Sequence, residues 1–175
     1  MNTDRPQHES QAFVQTAVAR HQAPLLRYAT RILHGDADRA RDVVQDTFVK
    51  LLAQPVAEIE GHLAEWLFTV CRHRALDVLR KEGRVRFFAE GQAERLTAAE
   101  PLPGAGLERA EAQATVLKLI DRLPANQQEV VRLKFQNGFS YKEISRITSL
   151  SVTNVGFILH TAVARLRREM AAQAE

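Results

Sequence analysis

One cysteine, Cys71, occurs in 175 residues. A lone thiol excludes an intramolecular disulfide framework and suits a reducing, cytoplasmic setting. No apolar run is long enough to span a bilayer, so stable membrane insertion is not expected. The N-terminal stretch MNTDRPQHES lacks a signal peptide and is expected to be polar and frayed. There is no glycine-rich phosphate loop, no Ser/His/Asp spacing and no metal-ligand cluster, so no enzyme chemistry, cofactor or metal is expected. His62, Cys71 and His73 come nearest to a metal set. Cys71 and His73, however, lie two apart on a helix and point about 200° from each other, so they cannot clasp one ion. Cys71 reads instead as a small buried apolar residue. No internal repeat is visible. The net charge of +3 and pI near 9.3 are mildly basic and admit a nucleic-acid partner without requiring one.

What the chain does have is helical periodicity, in an amount that fits one domain or two small ones. The most informative stretch runs from Leu123 to Arg168. Leu123-Pro124 starts a helix, because proline at the first position forfeits no intrahelical bond. Val130, Val131, Lys134 and Phe135 follow at helical spacing, and Asn137-Gly138 ends the helix. Ser140-x-x-Glu143 is a capping box opening a helix from Tyr141 to about Ile147, with Ile144 and Ile147 apolar. Ser149-Leu150 makes a tight turn. Ser151 caps a last helix that carries Val152, Val155, Leu159, Val163 and Leu166 toward a core. Two short helices with this turn length form a helix-turn-helix, whose second helix can enter a DNA major groove. Its outward positions are Thr153, Asn154, Gly156, Phe157, His160 and Thr161, then Arg165, Arg167 and Arg168. A small helical bundle with no nucleic-acid role is the plainer alternative.

LPANQQEVVRLKFQNGFSYKEISRITSLSVTNVGFILHTAVARLR resembles the C-terminal promoter-reading domain of bacterial extracytoplasmic-function (ECF) sigma factors. The shared features are the Leu-Pro start, the Tyr-x-Glu-Ile scaffold helix and the Ser-Val recognition helix ending in Ala-x-x-x-Leu-Arg. One departure stands out. The family's helix often reads Val-Lys-Ser-Arg-Leu-His-Arg-Ala, whereas residues 155–162 here read VGFILHTA, so three basic side chains are missing. Phosphate contact then falls more on Lys142, Arg146, Arg165, Arg167 and Arg168, and base reading on Asn154 and Phe157. Phe157 packing against the polymerase β flap, or against the preceding linker helix, is the competing expectation.

The remainder agrees with that resemblance. Apolar residues from Phe13 to Leu33 repeat with helical period, with Pro24 marking a break or a new first turn. Gly35 ends this segment, and Asp36 or Asp38 can cap the next helix, DADRARDVVQDTFVKLLA. Val44, Phe48, Leu51 and Leu52 form its expected buried stripe; Asp42, Gln45, Asp46 and Val49 lie largely on other faces. Acids early in a helix suit its dipole, or they form an acidic surface for a basic partner. The resemblance to the family's Asp-x-x-Gln-Asp/Glu-x-Phe signature implies docking of Asp42, Gln45, Asp46 and Val49 on the β′ clamp helices of core RNA polymerase. Residues 53–61 read as a loop between Pro55 and Gly61.

The helix from about His62 to Lys81 is expected to bury Leu63, Trp66, Leu67, Val70, Cys71, Ala75, Val78 and Leu79, with Phe68 and Leu76 off centre. Its C-terminal half carries Arg72, Arg74, Arg80 and Lys81 and can neutralise phosphates, or can stand solvated with Asp77 paired to Arg80 or Lys81. WLFTVCRHRALDVLRK resembles the family's helix that reads and melts DNA near the start site, with His73 where Asn is common. That implies downstream-element contacts from Arg72, His73, Arg80 and Lys81.

Residues 83–107 read as a flexible linker with a basic-aromatic entry at Arg84–Phe88. A helix from Glu108 to Leu123 follows, with Ala112, Val116, Leu117, Leu119 and Ile120 facing the C-terminal domain. The expected fold is all-α: a sigma domain 2-like unit over 11–82, the linker, and a sigma domain 4-like helix-turn-helix over 108–170. The expected function is promoter recognition at the −10 and −35 elements as a dissociable subunit of RNA polymerase, with promoter DNA and an anti-sigma factor as further partners. A stand-alone helix-turn-helix regulator is the alternative, but no dimerisation or effector domain is evident.

Overall fold

The computed structural model describes residues 5–83 and 107–173, with side chains over 10–83 and 113–172. Every regular element among the described residues is helical, as expected of an all-α chain. They form two compact units. Most of the 83–107 segment, including Arg84–Phe88, lies outside the described residues, as do residues 1–4.

The N-terminal unit contains α1 (Arg5–Ile32), α2 (Ala37–Leu52), the short α3 (Val56–Ile59) with a 3-10 turn at Glu60–His62, and α4 (Leu63–Lys81). Two expectations about α1 are corrected. It begins at Arg5, so residues 5–10 belong to the helix, and Pro24 does not interrupt it. Proline removes one backbone bond, but Leu25, Ala29 and Ile32 are almost wholly buried where α1 packs on α2 and α4. That apolar burial outweighs one missing hydrogen bond. His34 and Gly35, both at positive φ, turn the chain. Asp36 then caps α2, accepting from the Arg39 amide at 3.1 Å.

The buried side of α2 is Ala40, Val43, Val44, Thr47 and Leu51. Leu52, expected inside, is 58% exposed, and Phe48 is only half-buried. The stripe is rotated because both α1 and α4 lie on the 40/43/47/51 side, which the polar Thr47 joins by donating its hydroxyl to the Val43 carbonyl at 2.8 Å. The 53–61 loop holds α3, anchored by buried Ile59. In α4 the core is Leu67, Phe68, Cys71, Ala75, Leu76 and Leu79, so Phe68 and Leu76 are inside. Leu63, Trp66, Val70 and Val78 are half-buried instead. The Phe68 ring meets Tyr28 of α1 at 5.1 Å between centroids, which draws that side of α4 inward.

The C-terminal unit contains α5 (Leu107–Ile120), α6 (Ala125–Phe135), α7 (Tyr141–Thr148) and α8 (Val152–Gln173). Leu119, Ile120 and Leu123 are buried, Val116 and Leu117 are half-buried, and Ala112 falls outside the described side chains. Pro124 occupies the N-cap of α6. Gly138 supplies the positive φ after α6. The capping box is present: the Glu143 amide donates to Ser140 Oγ at 3.3 Å, and the Ser140 amide donates to Glu143 Oε2 at 2.7 Å. Ser149 turns the chain in the left-handed region at φ 61°, and Ser145 Oγ braces the turn by donating to the Leu150 carbonyl. Ser151 caps α8, accepting from the Asn154 amide at 3.1 Å. In α8 the core residues are Val155, Ile158, Leu159 and Ala162; Val152, expected inside, is 44% exposed because it precedes the first buried turn.

Arg132 was not foreseen as a core residue. Only 4% exposed, it pairs with Asp121 at the end of α5. Gln128 reinforces the corner by donating to the Asp121 and Leu123 carbonyls at 3.0 and 2.7 Å. Burial alone would push the Arg132 guanidinium toward its neutral form, and Asp121 opposes that. Asp121→Ala strands a buried cation and is expected to cost about 3 kcal/mol, the lower end for a broken buried pair, since Gln136 remains near. Asp121→Asn keeps an acceptor and should cost less. Urea unfolding followed by circular dichroism checks both; equal stability of Asp121→Ala and wild type would contradict the assignment.

Candidate nucleic-acid and partner surfaces

The acidic face of α2 forms because its opposite side is buried. Asp42, Gln45, Asp46 and Val49 are all exposed, with Val49 at 56%. Beside them, between α1 and α2, runs an apolar groove of 430 Å³ lined by Val14, Val18, Leu26, Phe48, Val49 and Leu52. Leu52 is thus a groove residue rather than a core residue.

The basic face of α4 is only partly contiguous. His73 and Arg80 are exposed and seven residues apart, two turns along one line of the helix, with Lys81 exposed next to them. Arg72 is half-buried and lies roughly 100° around from His73. Arg80 pairs with Asp77 at 2.8 Å, the local pairing expected of a solvated face. An exposed pair of this kind is worth at most about 1 kcal/mol and does not prevent a phosphate from competing. Arg39 of α2 pairs with Glu82 just beyond the end of α4. Arg74, expected on the basic half of α4, instead reaches across to α2 and pairs with Asp46 at 3.1 Å. No signal in the linear sequence marks that pair, since the two residues belong to different helices.

On α8 the exposed row is Thr153, Asn154, Phe157 and His160, with Phe157 at 68%. Phe157 does not pack within its own unit. Thr161 is half-buried and its hydroxyl donates to the Phe157 carbonyl at 2.9 Å, so that proton is already committed. Arg165 is also half-buried and donates from Nε to Glu169 at 3.0 Å. Lys142 and Arg146 are exposed on α7. Gly156 is half-buried, and a Cβ there would sit 3.6 Å from the Tyr141 ring, an ordinary contact. Tyr141 itself lies under Lys134, whose Nζ is 5.5 Å from the ring centroid and 3.2 Å from the Phe139 carbonyl that accepts its hydrogen bond. Phe135 is an additional exposed aromatic at 65%.

Cys71 is fully buried in the core of the N-terminal unit and contributes to none of these surfaces. Desolvation pushes its thiol up to about 12, against a smaller opposing effect of a hydrogen bond with Thr47. The native thiol is therefore expected to resist maleimide or disulfide reagents at pH 8 and to react fully in denaturant. Rapid stoichiometric labelling of the native protein would contradict this burial.

Residues 17–85 match the Sigma-70 region 2 family, and residues 113–166 match Sigma-70, region 4. Among curated proteins the chain is 33% identical over 144 residues to the ECF RNA polymerase sigma factor EcfG of Rhodopseudomonas palustris, covering 82% of this chain and 77% of that one. It is 30% identical to the RNA polymerase sigma factor YlaC of Bacillus subtilis, covering 83% and 85% of the two chains. Among solved structures it is similar in fold to the sigma factor RpoE of Bartonella quintana, crystallised in complex with the anti-sigma factor NepR. The TM-score is 0.61 at 24% identity, covering 90% of this chain and 96% of that one.

Proposed function

The chain belongs to the ECF sigma factor family, and from that premise we propose how its two units divide the work of directing transcription initiation. The N-terminal unit, taken as residues 11–82, docks on the β′ clamp helices of core RNA polymerase through Asp42, Gln45, Asp46 and Val49. The observation that carries this reading is the exposed acidic row of α2, whose backbone is held rigid by burial of its other side. The same unit meets the −10 element through His73, Arg80 and Lys81 on α4, with Arg72 at the edge. The C-terminal unit, residues 108–170, reads the −35 element through α8 and makes the contact with the β flap. The reaction catalysed is the polymerase's own; this chain supplies recognition.

On α8, Asn154 and Phe157 are the readers. Asn pairs bidentately with adenine, and an aromatic edge packs on a thymine methyl. Thr153, His160 and Thr161 flank them, and Lys142 and Arg165 hold the backbone. Phe157 on the exposed row supports base reading over packing within its own unit. An anti-sigma factor is a further partner, by analogy with the complex of the structurally similar Bartonella protein. Among the described residues no single helix is long and apolar enough to cross a membrane; the proposed place of action is the cytoplasm, where polymerase and promoter are.

Asp42→Arg combined with Asp46→Arg is expected to weaken core-polymerase binding while leaving helicity unchanged. A titration showing equal core affinity for wild type and double variant would remove the docking assignment. At the −35 element, Asn154→Ala should lose about 1–3 kcal/mol of discrimination at one base pair. Phe157→Ala should relax preference at a thymine in a selected promoter library. An unchanged consensus with uniformly lower activity would assign Phe157 to packing on polymerase instead.

A further inference from the structure

We infer that Arg74 is a DNA-backbone cation held in check by Asp46, and that a basic partner engaging Asp46 releases it to promoter DNA. The inference rests on the reading in which α2 meets polymerase and α4 meets DNA. Arg74 and Lys81 lie seven residues apart, two turns along one line of α4, so Arg74 extends the row of cations that ends in Arg80 and Lys81. Its head group points the other way, toward α2, where it pairs with Asp46 at 3.1 Å.

Both charges of the pair can be reached from solvent, with side-chain exposures of 39% for Arg74 and 55% for Asp46. The Arg74 Nε is buried without a hydrogen-bond partner. The guanidinium is therefore held through its terminal nitrogen, by the ion pair with Asp46. In the free protein Asp46 cancels Arg74 and also repels phosphate from the start of the basic row. A partner cation on Asp46 removes both effects at once. Exposed ion pairs are weak, so the expected coupling is about two- to five-fold in affinity. It must be reciprocal: promoter DNA strengthens core binding by the same factor that core binding strengthens DNA contact.

The test uses the full chain and a fluorescent promoter duplex, with anisotropy measured across a salt series. Wild type, Asp46→Ala, Arg74→Gln and the double variant are compared, with helicity as the folding control. Asp46→Ala should tighten binding two- to five-fold and steepen the salt dependence by about one counterion, since one more phosphate is neutralised. In the Arg74→Gln background the same change should leave the salt slope unaltered. Equal tightening and steepening in both backgrounds would assign Asp46 to general repulsion and overturn the role of Arg74, as would no response in either. Arg80→Ala with Lys81→Ala serves as the separate control: an unchanged salt slope there removes α4 as a DNA surface. A normal loss there, with a flat response to Asp46→Ala, overturns the Arg74 inference alone.

Discussion

Leu67, Phe68, Cys71, Ala75 and Leu79 are buried on one side of α4, and α1 and α2 close over them. Because this side is apolar and fully packed, α4 cannot rotate without exposing several large side chains, each worth about 1.5–3 kcal/mol. Its remaining circumference is thereby fixed: His73, Arg80 and Lys81 outward, Arg74 toward α2. The same packing fixes α2, whose exposed row holds Asp42, Gln45 and Asp46. One core thus sets the registration of an acidic and a basic surface only a helix width apart. A partner and a nucleic acid meeting this unit together would each feel the charge of the other's site.

The C-terminal unit is organised differently. Its α7 has only eight residues, too few to be stable alone. Its order comes from its ends: the Ser140–Glu143 box, the Ser145 hydroxyl on the Leu150 carbonyl, and the Ser151 cap on α8. Ile144, Ile147 and Val155 then complete a small core. The buried Arg132–Asp121 pair belongs to the same logic, since it ties the end of α5 to α6. Such a pair lends little net stability, but breaking it is costly.

How much of this is legible in the sequence follows from which forces are local. Caps, turn residues and helix periods act over three or four positions, so Ser140, Glu143, Ser151, Gly138 and the helices they bound are all read correctly from the chain. The direction of a buried stripe depends on which neighbours close over it. That is why Leu52 and Val152 are exposed against expectation, while Phe68, Leu76 and Ile158 are inside. Pro24 is the same lesson in reverse: a local rule calls for a break, and burial of Leu25 and Ala29 overrides it. The α3 turn and the Asp46–Arg74 and Asp121–Arg132 pairs join residues whose meeting no spacing announces. The outward residues of α8 from Thr153 to His160 were legible because Val155 and Leu159 sit at the fixed helical offset from them.

Gly156 is the position where the family pattern carries a lysine, and the space beside it is open to ordinary contact with the Tyr141 ring. The backbone there is plain helix, so glycine is not required by conformation and weakens the helix by roughly 0.5–1 kcal/mol relative to alanine. The electrostatic modesty of this recognition surface is thus not built into the fold. Of the three positions where the family pattern is basic and this chain is not, 156 is one at which an added Cβ meets only ordinary contact. A cationic side chain there would add charge to α8 while leaving the architecture as it stands.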